Sequence, residues 1–318
     1  MIGEIIINAF LVTLMLTIAF FIINTRKVIS TILLAGTYSL VAALMFVSLD
    51  AVDVAFTEAS VGAGISTILF LAALSYLPKE EKEEKFNVKH IYAICTCTIV
   101  AGLLIWASYD LPLVGQLENP VHQHLAQDFI EGSRNHIGIP NVVTSVILVT
   151  RLFDTIGEVT VFTVAGLGVK ILLHEEQSEG QFVGINDQVI KILLDFAALL
   201  SCFLAIDLAV KGHLTPGGGF ASGVAGATAI TLLMITGRLE KVEAFYFGAN
   251  APALEKFAVV CFIFVALATF ASFLNPSSAF AMVPPNIYIP ALNIIAALKV
   301  TIGSWSILRL FVVKRGVL

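Results

Sequence analysis

Charge is what this chain of 318 residues has least of: Asp, Glu, Lys and Arg together make up 13% of it, against about 25% in an ordinary soluble domain. Such a composition cannot keep the surface of a soluble fold wet. Basic residues are also the minority charge, 18 Lys and Arg against 23 Asp and Glu. That leaves no basic face for a phosphate backbone and excludes nucleic acid as a partner. Cysteine is sparse too. Cys95, Cys97, Cys202 and Cys261 lie inside apolar runs, and a C-x-C without further ligands makes a poor metal site, so they read as small lipid- or core-facing residues. The sequence contains no metal-ligand set, no nucleophile–base spacing and no phosphate loop, so neither catalysis nor a cofactor is expected.

Apolar residues are abundant: they make up 58% of the chain, and the mean hydropathy is +0.94. Runs near or above 18 residues, separated by short charged loops, are what a hydrocarbon layer of about 30 Å imposes. They predict an all-α integral membrane protein with nine transmembrane helices near 4–23, 28–48, 55–77, 91–109, 152–174, 187–210, 218–236, 257–275 and 287–311. The first run starts without a basic stretch and is followed by Arg26-Lys27, so it reads as a retained span and not as a cleaved signal. With the N-terminus outside, fourteen of the 18 Lys and Arg fall on the cytoplasmic side, Arg134 and Lys211 fall outside, and Arg151 and Lys299 are left over. The positive-inside rule therefore selects an odd span count with the C-terminus cytoplasmic, and a cell (inner) membrane location.

Two segments are not spans. Lys79 to Lys85 is a solvated charge run, and 110–140 is the longest external connection; its His122-x-His124 is too small a set to hold a metal. After Pro140, a short interfacial helix is expected before the fifth span. Three modules result: a three-helix module at 1–90, a two-helix module at 91–180 and a four-helix module at 181–318.

An ionisable side chain within a span costs upward of about 2.5–3.5 kcal/mol and must face protein or water. Arg151, Asp154 and Glu158 stand at i, i+3 and i+7, on one helix face. They suit either a charge relay or an ion pair locking two helices. Glu58 precedes the small residues Gly62 and Gly64, which loosen a helix and permit a π-bulge. It is either a proton-exchanging carboxylate near the outer surface or an interfacial cap. Lys299 lies at the middle of the ninth span; it acts on the proton affinity of a neighbouring carboxylate or pairs with Asp195 or Asp207. Between the sixth and seventh spans, Pro216-Gly217-Gly218-Gly219 predicts a tight non-helical turn. Its N–H groups lead into a helix start and suit an anion or a hydrated ion.

These stretches resemble a known family. Asp53-Val-Ala-Phe-Thr-Glu58 through Leu77-Pro78 resembles the C-terminal region of the large component of Mrp-type sodium/proton antiporters, MrpA, and a small component of membrane-bound hydrogenases. Asn141-Val-Val through Arg151-x-x-Asp154-Thr-x-Gly-Glu158 resembles the segment that follows it there, and Gly212-His213-x-x-Pro216-Gly-Gly-Gly-Phe220 resembles the MrpB signature. Gly62 stands where many MrpA sequences carry a carboxylate, with Glu58 in the neighbouring place, closer to the hydrogenase-associated pattern. The resemblance implies a non-enzymatic subunit of a monovalent cation (Na+)/proton antiporter, embedded in lipid among other membrane subunits. It marks Arg151, Glu158, Pro78, Pro216 and Phe220 as functional positions, with Asp154 and His213 in the same motifs. The alternatives are the ion-translocating arm of a membrane-bound hydrogenase or complex I-like redox complex, and a structural scaffold.

Overall fold

The computed structural model describes residues 2–74, 88–112, 121–174, 184–274 and 283–315. Pro78, the charge run 79–85 and the side chain of His122 lie outside them. Among the described residues, nine helical segments are long and apolar enough to cross a bilayer. In chain order the helices are α1 (Ile2–Asn24), α2 (Val28–Ser48), α3 (Val52–Glu58), α4 (Ser66–Leu74), α5 (Val88–Ser108), α6 (Ala126–Glu131), α7 (Val142–Ser145), α8 (Leu152–Leu172), α9 (Gln188–Lys211), α10 (Gly218–Leu233), α11 (Leu239–Gly248), α12 (Ala251–Leu274) and α13 (Pro285–Arg315).

Residues 77–132 form a unit of their own, containing α5 and α6; Cys95 and Cys97 are exposed on α5. The remaining residues form the larger unit. Its centre is α10, a helix of small residues flanked by α9 and α13. A Cβ on Gly219 would stand 2.5 Å from the backbone oxygen of Asn293, so α13 can approach this closely only where α10 lacks a side chain. Small residues serve this purpose within a bilayer, where packing and interhelical hydrogen bonds replace the hydrophobic drive. The other flank is tied by such bonds: Ser222 Oγ donates to Ala205 O at 2.7 Å and Ser201 Oγ to Ala225 O at 2.8 Å, both between α10 and α9.

Three features refine the expected layout. The π-bulge falls where the glycines allow it, over Ala59–Ile65, between α3 and α4. The seventh apolar segment does not stop at 236: it turns at Gly237 (φ 87°) and continues as α11, held by Arg309–Glu243 at 2.6 Å. The segment after Pro140 is helical, as expected, and packs one face inside the fold: Thr144, Ser145 and Leu148 are buried while Val143 and Ile147 are exposed, with the Thr144 hydroxyl and the capping Asn141 both bonded to Gly212 O.

Candidate functional site

Asn141 is where the larger unit is pinned together. Its Oδ1 caps α7 by accepting Thr144 N–H at 3.0 Å, as a helix N-cap does. Its Nδ2 donates to Gly212 O (3.2 Å), Thr215 O (2.9 Å) and Asp53 Oδ1 (3.4 Å). Thr144 Oγ1 donates to Gly212 O at 2.6 Å. The glycine turn is therefore held from both sides. Gly217, at φ 136°, directs its N–H at Asp53 Oδ1, 2.9 Å away. The anion suited to this turn is a carboxylate of the chain itself, brought from α3. Only glycine adopts such a φ without strain.

Beneath this node lies a cavity of about 260 Å³. Asp53 and Thr57 of α3 line it, as do Thr144, Thr155, Glu158 and Phe162 from the α7–α8 region, the turn Gly217–Phe220, and Asn293 and Lys299 of α13. Lys299 is buried, 1% exposed. Its Nζ donates to Val159 O at 3.2 Å and sits 3.8 Å above the Phe162 ring centroid. Phe220 packs edge-on against Phe162, with centroids 6.4 Å apart, so the motif phenylalanine fixes the ring beneath the ammonium. Neither Asp195 nor Asp207 pairs with Lys299: Asp195 binds Arg238 at 2.5 Å and Asp207 binds Lys211 within α9. The carboxylates in the neighbourhood of Lys299 are Glu158, which lines the same cavity, and Glu255. Neither forms a salt bridge with it among the described residues.

The Arg151, Asp154 and Glu158 cluster divides. Arg151 Nε donates to Asp154 Oδ2 at 2.7 Å, and this pair is exposed and outside the cavity. Glu158, one turn further, lines the cavity. The split follows from Arg151 standing before the helix, at φ −116° and ψ 27°, so helical spacing does not govern its direction. Glu58 is half-buried; its Oε1 lies 2.7 Å from where a Cβ on Gly62 would be, so Glu58 fills the space of the absent side chain. The backbone oxygen of His213 accepts Asn141 N–H at 3.2 Å, while its Nδ1 is buried without a hydrogen bond among the described residues. Pro216 is exposed at the turn.

Sequence reasoning missed Asp53, Asn141 and Glu255 as site residues. Asp53 and Asn141 are polar residues at predicted span or helix starts, where a cap is the ordinary reading. Glu255 was hidden by a boundary: the eighth spanning helix begins at Ala251, six residues before the expected 257, which brings Glu255 into the helix.

Comparison with known proteins matches successive segments. The family MbhD, a component of MBH, matches residues 13–79, and the family MbhE, a second MBH component, matches 91–189. The family MnhB, described as a "Domain related to MnhB subunit of Na+/H+ antiporter", matches 189–306. A probable K(+)/H(+) antiporter component of the fused A/B type from Rhizobium meliloti (strain 1021) is 25% identical over 68% of this chain and 24% of its own length. A "Putative antiporter subunit mnhA2" of Staphylococcus aureus is 26% identical over 52% of this chain and 20% of its own. The chain thus spans about a quarter or less of these relatives. Its fold is like that of a chain in the Mrp complex from Dietzia sp. DQ12-45-1b, with TM-score 0.68, 22% identity, 94% of this chain and 34% of that one. A chain of the membrane-bound sulfane sulfur reductase, an archaeal respiratory complex, matches with TM-score 0.52, 22% identity, 70% of this chain and 97% of its own.

Proposed function

We infer that this chain, related segment by segment to Mrp-type antiporter and membrane-bound hydrogenase components, is a non-catalytic, multi-pass subunit of a monovalent cation/proton antiporter in the cell membrane. Its expected partners are the other membrane subunits of that complex, and Na+ and H+ are the proposed cargo. The supporting observation is the cavity, to which 53–57, 143–162 and 217–220 with 293–300 all contribute, and which holds Glu158 and the buried Lys299. A carboxylate and an ammonium in a water-accessible pocket within a bilayer exchange protons when a neighbouring charge changes.

In this reading Glu58 loads or releases a proton near the outer surface, Glu158 passes charge through the cavity, and Lys299 sets the proton affinity of Glu158. Arg151 and Asp154 neutralise one another on the outer face and present a polar contact to a neighbouring subunit. His213, Pro216 and Gly217–Gly219 hold the turn that closes the cavity's outer end, and Phe220 positions Phe162 beneath Lys299. The cavity-lining segments 53–57, 143–162, 217–220 and 293–300 act as one half-channel completed by partners.

A second reading places the same pathway in a redox-driven complex. It is favoured by the MBH families matching 13–79 and 91–189. The deciding measurement is sodium-driven dequenching of a pH dye in everted vesicles carrying the complete gene cluster, compared with the cluster bearing Glu158→Gln, alongside native-gel assembly. Loss of antiport in an assembled complex supports the pathway; unchanged antiport makes the Glu158 site structural. Sodium-independent pumping that requires a reductant favours the redox complex.

A further inference from the structure

Glu255 is a second carboxylate in the neighbourhood of Lys299. It stands on the first turns of α12, half-buried, and is not part of the cavity lining. Two observations place it against the same group as Glu158. A Cβ built on Gly303 would lie 2.8 Å from Glu255 Oε1 and 2.7 Å from Phe162 Cε1, and Gly303 is one helical turn beyond Lys299 on α13. Phe162 therefore offers its face to the ammonium and its edge to the place where the Glu255 carboxylate sits. Besides Lys299, the charges near Glu255 are Lys170 of α8 and Lys256 next to it in sequence, both exposed. Buried Lys299, over Phe162, thus has Glu158 in the cavity and Glu255, near two exposed lysines, as its neighbouring carboxylates.

A lysine whose contacts among the described residues are a carbonyl and a ring face, with two carboxylates nearby, can turn between them without giving up a salt bridge. We propose that Glu255 is the terminal carboxylate of the pathway, exchanging protons with Lys299 from outside the cavity lining, and that Gly303 is glycine because that carboxylate needs the space. The proton leaves Lys299 Nζ for a Glu255 oxygen, giving a neutral amine and a neutral acid; the amine takes a new proton from Glu158, and Glu255 releases its own to water near Lys170 and Lys256. The opposite gradient runs the same steps backwards. This rests on the pathway reading and extends it to a residue outside the cavity.

The experiment compares Glu158→Gln, Glu255→Gln, Glu255→Asp and Gly303→Ala in the complete complex in everted vesicles, recording assembly, initial antiport rate and its pH profile. Losing a positioned acid should slow antiport about tenfold or more in Glu255→Gln. Glu255→Asp should restore part of the rate with a displaced pH profile, and Gly303→Ala, which keeps every charge, should lower the rate in an assembled complex. A wild-type rate for Glu255→Gln while Glu158→Gln is inactive overturns the role of Glu255 and leaves the pathway standing. Wild-type rates for both overturn the pathway and the proposal together. Where glutamine prevents assembly, Glu255→Asp decides: an unchanged pH profile overturns the proposal and a displaced one supports it.

Discussion

Lys299 is buried halfway along a transmembrane helix, and its Nζ contacts a carbonyl oxygen and an aromatic face. Lys299 forms no salt bridge among the described residues, so an apolar side chain of similar length there breaks no ion pair. Lys299→Met should therefore assemble normally and abolish antiport, and native gels beside the dye assay would show it. Asn141 is the opposite case, a residue whose worth is structural. Truncation removes a cap worth about 1 kcal/mol and takes the Nδ2 donor from Thr215 O, at about 1–3 kcal/mol, while Gly212 O keeps its bond from Thr144 Oγ1. Asn141→Ala should lower the melting temperature of the detergent-solubilised complex by several degrees, as measured by intrinsic fluorescence. Lys299 was legible in the sequence because a charge at that depth has to be accounted for. Asn141 and Asp53 were not, because their partners lie 71 and 164 positions away and no local pattern announces them.

At the scale of elements, the bilayer did most of the specifying. Span number and rough limits follow from the length of hydrocarbon to be crossed, and the glycines of the third span marked where its helix loosens. The sequence did not show which helix packs on which, nor that the seventh segment bends at Gly237. It also did not show that one face of the helix after Pro140 is buried against protein, since its amphipathic pattern does not say what its inner face meets. The contact of α10 with α13 depends on absent side chains, so a branched residue there should act on the element and not on the chemistry. Gly219→Leu should prevent α13 from seating and should remove the chain from the assembled complex, judged by co-purification of a tagged neighbouring subunit. Gly157→Ala, where an added Cβ meets nothing within 4 Å, is the matched control and should co-purify as wild type does.

For the whole molecule, the pathway has a direction only if the orientation derived from the basic residues holds. That orientation puts Asp53, Glu58 and the glycine turn at the outer surface, and Glu255 with Lys170, Lys256 and Lys241 at the cytoplasmic one. Thr215, exposed beside the turn, and Lys241, exposed on α11, mark the two ends. With the four native cysteines replaced by serine or alanine, single-cysteine variants Thr215→Cys and Lys241→Cys can be treated with a membrane-impermeant maleimide in whole cells and in everted vesicles. Thr215→Cys should react in cells and Lys241→Cys in everted vesicles. The reverse pattern would leave the sequence of groups intact while making Glu255 the external acid and the glycine turn the cytoplasmic mouth. Sodium entering from outside would then meet Glu255 first, and external pH, not cytoplasmic pH, would set the rate in Glu255→Asp.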